Sequence, residues 1–468
     1  MLTSSETTVI ALVLFGALIL ASGCFVRARQ ADFFLSGRRA GTATVASSLL
    51  ATCLGASATL GVVARAYRLG WSAFWWLGAG AAGLIVLGLF WAKPMRRKPA
   101  TRTLPQWAGE IYGLPARILA AVLIVVMWTA VIAAQWVAAG TLLGTLLPVP
   151  VELGITVAAA LVVLYTAWGG QASVLRTDVL QIAMILGAIL LLLAFAGRLE
   201  GMAQSPAGAT AGESAGLTAI GFVSLLVVVG GMYVVGPDLC SRVLVARSDA
   251  TARRGALWAG AILLPCSVAI VFLGILLRQK GVELGHPREA LPWLIVHSGI
   301  LPQAVGSLVA VGMLAALMSS ADTCLLTAAS VLELDLLGRT HTKATQQRAG
   351  RAFVAGVGLA STAVAILRPA IIANLLLAYA FYAGGLLVPL LLLKWPAFAG
   401  RIPRPWIWAA MLCGGLVPSA LLLSGRATST AIAGTAGAVA ALGIVAAGRL
   451  CSGRLSWMPS QNEVPENG

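Results

Sequence analysis

PQAVGSLVAVGMLAALMSSADTCLLTAASVLEL (302–334) is the stretch on which the fold turns. It is almost unbroken apolar sequence, and midway along it stands MSSADTC (318–324), with two serines, an aspartate and a threonine inside five residues. A run of about 20 apolar residues crosses the hydrocarbon of a bilayer. A carboxylate halfway along such a run is costly and marks function. On a helix Ser319 and Asp322 share a face at i,i+3, and Ser319 and Thr323 at i,i+4. Oxygen ligands of this kind suit a hard cation, by the logic that gives calcium and magnesium their oxygen cages. Hydroxyls in a membrane helix also bond their own backbone and tighten helix packing. For the hydroxyls alone both readings stand.

Comparable apolar runs recur at 7–26, 42–64, 71–92, 118–145, 150–168, 177–197, 217–236, 256–277, 352–368, 371–393, 405–424 and 429–448. With 302–334 they predict an all-α, polytopic membrane protein of about thirteen transmembrane helices. Composition agrees. Charged residues make up 10% and hydrophobic ones 59%, against about 25% charged in ordinary globular domains. A soluble interior of this size cannot hide that much apolar surface, and a bilayer can. No linker marks a second domain. The stretch 198–216 reads as a loop, and the tail after Arg454 as short and disordered. Glu6 and the lack of a basic segment before the first run favour an uncleaved helix over a signal peptide.

The net charge of +16 is unevenly spread. When successive loops are assigned to alternate sides, 24 of the 32 Lys and Arg fall on one side, including Arg27, Arg29, Arg38, Arg39, Arg96, Arg97 and Lys98. Cytoplasmic loops carry that bias, so the N-terminus is expected outside and the C-terminus in the cytoplasm, with the chain in the plasma (inner) membrane. The basic clusters then face anionic lipid, and no nucleic-acid partner is expected. The seven cysteines form no CxxC pair, and they read as small hydrophobes in a helix bundle.

Of sixteen acidic residues, only Asp178 and Asp322 lie well within apolar runs, and Asp238 sits at the end of one. Two runs carry matched helix breakers. The second reads SSLLATCLGASATLG (47–61), around Gly55, and the seventh reads VVVGGMYVVGPD (227–238). Transporter sites often use two interrupted helices at corresponding positions of inverted repeats, where unwound turns free carbonyls and amides for ligands. Runs two and seven are five apart, as repeats over runs 2–6 and 7–11 require. Close packing at small residues is the other reading of each break.

These segments also carry a resemblance. FFLSGRRAG (33–41), TLPQWAGEIYG (103–113), YTAWGGQASVLRTDVLQ (165–181), GPDLCSRVLVARSDATARR (236–254) and GMLAALMSSADTCLLTAASVLELDL (312–336) occur in the order seen in the sodium:solute symporter family. That family includes the sodium/proline, sodium/sugar and sialic acid symporters. The 165–181 segment departs from the family's pattern at Ser173, where an alanine is usual. The resemblance implies a LeuT-like core of two inverted five-helix repeats, with one extra helix before and two after. The domains would be 1–41, a core at 42–395 (repeats 42–197 and 217–395), and 396–468. It implies a sodium site made by the carbonyls of Ala51, Leu54 and Ala316 and the hydroxyls of Ser319 and Ser320. Asp178 matches an aspartate that in some relatives serves a second cation site or the release path, which Asp322 and Thr323 could complete. The proline symporters carry an aspartate where this chain has Cys53, which weighs against proline.

The expected activity is sodium-coupled symport of a small polar organic solute of the amino acid, sugar, sialic acid or carboxylate class. Candidates for the solute site or its gates are Cys53, Ser57, Trp128, Gln135, Tyr233 and Tyr382. Trp71 and Trp75 are weaker candidates, because tryptophan also anchors at the membrane interface. Sodium would be the coupling ion, with no organic cofactor, and the oligomeric state is open. Three alternatives stand beside this: proton coupling through Asp178 or Asp322, a sensor on a transporter-like scaffold, and an intramembrane enzyme. His286, His297 and His341 are scattered, and none pairs with an acid at i,i+4.

Overall fold

Backbone amides and carbonyls inside hydrocarbon have no water to bond, so spanning chains close their hydrogen bonds within helices. In the computed structural model the described residues are 4–24, 33–98, 101–198, 217–282, 284–337, 343–367, 371–424 and 429–455. Arg27, Arg29, His341, nearly all of the 198–216 loop and the tail beyond 455 lie outside them. Among the described residues the regular elements are helical, and the one β-type contact is an isolated bridge between Ala40 and Ala246. Ten helical stretches are long and apolar enough to cross a membrane. Val13, Leu14, Val126, Leu190, Leu359 and Val439 each leave more than half of their surface exposed. Such a belt suits lipid and not water.

The chain begins with α1 (Ser4–Cys24) and α2 (Thr42–Cys53). A π-helical turn, Ser57–Gly61, leads into α3 (Val62–Leu69). Gly70 stops α3 with φ 62°, a left-handed value open mainly to glycine. Next come α4 (Phe74–Val86), a π turn at Leu87–Trp91, α5 (Ala92–Arg96), α6 (Leu104–Tyr112) and α7 (Leu114–Leu146). α8 (Val151–Ala196) has 46 residues. At 1.5 Å per residue that is about 69 Å, twice the hydrocarbon thickness. It is bent at Gly170, whose φ of 55° lies inside the helix. The amide of Gln171 there donates to the Phe33 carbonyl at 2.9 Å, tying the bend to the loop before α2.

α9 (Ala219–Leu225), a π turn at Leu226–Gly230 and α10 (Gly231–Val235) run up to a second break at Gly236, beyond which lies α11 (Pro237–Leu244). Then follow α12 (Asp249–Gln279), the short α13 (Ala290–Val296) and α14 (Gln303–Val331), with a π turn at Leu332–Leu336. α14 is the axis of the bundle: every residue from 309 to 329 is buried, and it packs on α7, α8 and α2. The described chain closes with α15 (Lys343–Leu367), α16 (Ile371–Gly385), α17 (Leu387–Leu392), α18 (Pro396–Ala399), α19 (Arg404–Leu423) and α20 (Thr430–Leu455).

Candidate functional site

The end of α2 meets α14 through the serines at its midpoint. Ser319 Oγ donates within reach of two carbonyls, Ala51 at 3.0 Å and Ala316 at 3.1 Å. Ser320 Oγ donates to the Thr52 carbonyl at 2.8 Å. The amide of Ala56 donates to Gln135 Oε1 at 3.0 Å. In a continuous helix the Thr52 carbonyl and the Ala56 amide would bond each other. Here side chains from α14 and α7 take the two halves of that bond, so that both groups keep a partner at the break. Gly55 makes the approach possible: a Cβ there would overlap the Ser320 hydroxyl.

The second break is built the same way. Pro237 has no N–H for the Tyr233 carbonyl. Tyr382 Oη donates to the Val235 carbonyl at 2.5 Å. Between the two breaks lies a small cavity, lined by Cys53, Gly55, Ser57, Trp128, Gln135, Tyr233, Asp238, Ser320, Cys324 and Tyr379 among others. Ser320 therefore belongs both to the cavity wall and to the oxygen cluster at α2. The Tyr233 ring lies against Gly80 and Gly83 of α4, where any side chain would collide with it.

A buried polar chain continues from the serines. Thr323 Oγ1 lies 2.9 Å from the Ser319 carbonyl, 3.1 Å from Thr52 Oγ1 and 3.2 Å from Asp322 Oδ1. Tyr165 donates to Asp322, Ser48 donates to Asp178, and Arg242 donates to Thr323. Arg242 Nη2 is also 3.7 Å from Asp178 Oδ2, with both side chains fully buried. Two carboxylates and one guanidinium thus share the interior, a formal charge of −1 if all are ionised.

Beside the central cavity a larger one opens on the face bearing the ends of α3 and α7, with Arg65, Arg68, Trp76, Thr145, His286 and Glu289 on its wall. Ser57 lines both cavities. Arg65 lies 5.1 Å over the Trp76 ring, and Trp76 stacks on Tyr379 at 6.4 Å. At the other end of the bundle, Arg117 Nε bonds Asp335 Oδ1 at 2.8 Å and Thr103 Oγ1 donates to Asp335 Oδ2 at 2.7 Å.

The structure thus gathers Ala51, Ala316, Ser319 and Ser320 at one point, with Leu54 in the non-helical turn beside them at φ −93°, ψ 32°. Asp178, Asp322 and Thr323 lie in one network with them. Cys53, Ser57, Trp128, Gln135 and Tyr233 line the central cavity. Tyr382 stands behind it, 5.2 Å from the Trp128 ring. Trp71 and Trp75 are exposed away from it, as interfacial anchors would be. Sequence reading passed over Arg242, Tyr165 and Tyr379, and noted Asp238 only as a charge at the end of a run. The usable signals were an arginine inside the apolar LCSRVLVA, and a tyrosine one helical turn before Tyr382.

The sequence pattern of the sodium:solute symporter family matches residues 33–394. The chain is 23% identical over 351 residues to the sodium/glucose cotransporter of Vibrio parahaemolyticus, covering 65% of this chain and 62% of that one. It is 30% identical over 167 residues to the sodium/pantothenate symporter of Escherichia coli, covering 35% of each. The matches therefore span less than two thirds of these relatives. In three dimensions it resembles a Na+-coupled sialic acid symporter solved in a substrate-bound outward-open state, with a TM-score of 0.80 at 18% identity, covering 96% of this chain and 97% of that one. The chain belongs to the sodium:solute symporter family.

Proposed function

We propose that this protein is a secondary active transporter that couples sodium entry to uptake of a small polar organic solute by alternating access. The observation that carries the reading is the double role of Ser320, which holds the broken end of α2 and also lines the central cavity. An ion seated among Ala51, Leu54, Ala316, Ser319 and Ser320 would replace the serine protons as the bridge between α2 and α14. It would thereby fix the wall against which the solute binds. A site of carbonyls and hydroxyls suits an alkali ion. One cation moving down ~100 mV releases ~2.3 kcal/mol before any concentration gradient is added, enough to support a solute gradient of a few tens-fold.

The same reading takes thirteen crossings: α8 crosses twice about Gly170, and α2–α3 and α4–α5 make one each. The core at 42–395 then holds two inverted five-helix repeats, 42–197 and 217–395, each opening on a broken helix. The region 1–41 precedes them and 396–468 follows, in the plasma membrane. With the N-terminus outside, the larger cavity is an external vestibule and the Arg117–Asp335 pair closes the cytoplasmic face. Asp178, Asp322 and Thr323 form the inward release path or a second cation site.

Purified protein heated in sodium chloride and in potassium chloride tests the sodium site. The wild type is expected to melt several degrees higher in sodium, since a ligand that binds only the folded state stabilises it by mass action. The Ser319→Ala, Ser320→Ala double variant is expected to lose that difference. An undiminished sodium effect in the double variant refutes the site. Proton coupling is the second reading, favoured by the buried Asp178 and Asp322. It requires uptake driven by a pH gradient in sodium-free medium.

A further inference from the structure

Among the described residues, one charged side chain lines the central cavity, Asp238. It is the second residue of α11, immediately past the break at Gly236, and it is only partly buried. Trp128, Tyr233 and Tyr379 present aromatic surface to the same space, and Cys53 and Cys324 give it soft apolar edges. Arg242, one turn further along α11, does not line the cavity; its guanidinium is engaged with Thr323 and Asp178.

A fixed carboxylate in a space otherwise walled by neutral groups, three of them aromatic, calls for a positive charge. A neutral polyol could bond its oxygens but would leave the charge uncompensated. A solute that is only an anion would be repelled. A protonated amine gains a charge-assisted hydrogen bond to the carboxylate, and its charge is also attracted to the aromatic faces around it. The outer cavity carries both signs, Arg65 and Arg68 against Glu289, so it does not bar a solute with a cationic group.

We propose that the cavity selects a small solute bearing a protonated amino or quaternary ammonium group, with Asp238 as its counter-ion and Trp128, Tyr233 and Tyr379 as its wall. This rests on the symport reading for the cavity's role and goes further in naming the charge of the cargo. Asp238 Oδ1 also stands beside the break, where a Cβ built at Gly236 would meet it, so a purely structural role must be separated from a binding one. Asp238→Asn does this, because it keeps an acceptor oxygen of the same size and removes only the charge.

The test is thermal stabilisation of the purified full-length protein in sodium chloride and in potassium chloride. One set of solutes carries an ammonium group: L-alanine, L-proline, glycine betaine and putrescine. A second is neutral: D-glucose, myo-inositol and glycerol. A third is anionic: pyruvate, lactate and N-acetylneuraminate. A stabilising solute from the first set is expected, with an apparent affinity at least tenfold weaker in Asp238→Asn and the sodium shift unchanged in that variant. The inference is overturned if only neutral or anionic solutes stabilise, if none of the first set does, or if Asp238→Asn binds like the wild type. The two readings fail differently. Sodium stabilisation with a sugar or an anion as ligand sinks the charge assignment alone. An Asp238-dependent ammonium ligand that binds equally well in potassium sinks sodium coupling and leaves the assignment standing.

Discussion

Gly55 is the residue that lets two helices share one oxygen cluster. A Cβ there would overlap the Ser320 hydroxyl and come within 3.2 Å of Gln135 Oε1. Both groups hold the broken end of α2, so neither can move without freeing a buried backbone group. Gly55→Ala is therefore expected to cost about 1–3 kcal/mol, the usual range for overpacking, and to abolish most of the sodium-dependent rise in melting temperature. Gly187→Ala, where an added Cβ meets nothing within 4 Å, is the control that should change neither. A full sodium response in Gly55→Ala would mean that the α2–α14 approach is not where the ion acts. At this scale the sequence was unevenly legible. Serines and an aspartate inside an apolar run announce themselves, because nothing else there is polar. Asp238 and Arg242 sit where an apolar run ends. Charge at a helix end is ordinary, and only the return of α11 into the bundle turns it inward.

Helix breaks could be read from glycine and proline, but their wiring could not. Gly55 and Gly236–Pro237 marked both interruptions. Which side chains would take the freed backbone groups depended on packing between helices distant in sequence, such as Gln135 on α7 and Tyr382 on α16. The WGGQ stretch (168–171) read as a gap between two runs. In the structure it is the bend within α8, since Gly170 turns the chain while the flanking residues stay helical. The π turn after α14 was also invisible, and it carries the buried carboxylate that pairs with Arg117. Asp335 is fully buried there and held by Arg117 and Thr103, while Arg117 Nη2 also donates to the Leu334 carbonyl at 2.5 Å. Removing one partner of a buried ion pair commonly costs 3–5 kcal/mol, and opening that face would return the orphaned carboxylate to water. Arg117→Ala should thus favour the state open at this end. Spin labels at Leu114→Cys and Leu337→Cys, both exposed positions, with the exposed Cys413 and Cys451 replaced by serine, should show an added longer-distance population. An unchanged distance distribution would mean that the pair does not hold the face shut.

For the whole molecule the deciding quantity is the side on which the basic residues lie. Moving Lys or Arg across a bilayer is expensive, so loops rich in them stay in the cytoplasm. The bias here persists from Arg38 and Arg39 near the start to Arg449 near the end, and a miscounted crossing would reverse it partway along. Two features of the structure lie at different ends of the bundle. The wide cavity opens among the ends of α3 and α7 and the segment around His286, with Arg65 and Arg68 on its wall. The Arg117–Asp335 closure lies among the basic loops, near Arg97 and Lys98 with their partners Asp249 and Glu110. In the proposed orientation the wide cavity is the external vestibule and lies on the side whose loops hold fewer basic residues. Glu289 and Arg401 are exposed positions on opposite sides in this orientation. In intact cells, a membrane-impermeant maleimide should label Glu289→Cys above the wild-type background and leave Arg401→Cys unlabelled until the cells are opened. Labelling of Arg401→Cys alone would invert the molecule and make the cavity an exit. Labelling of both would put an even number of crossings between them, where the thirteen-helix reading requires an odd number, and would break that count and the five-helix second repeat with it.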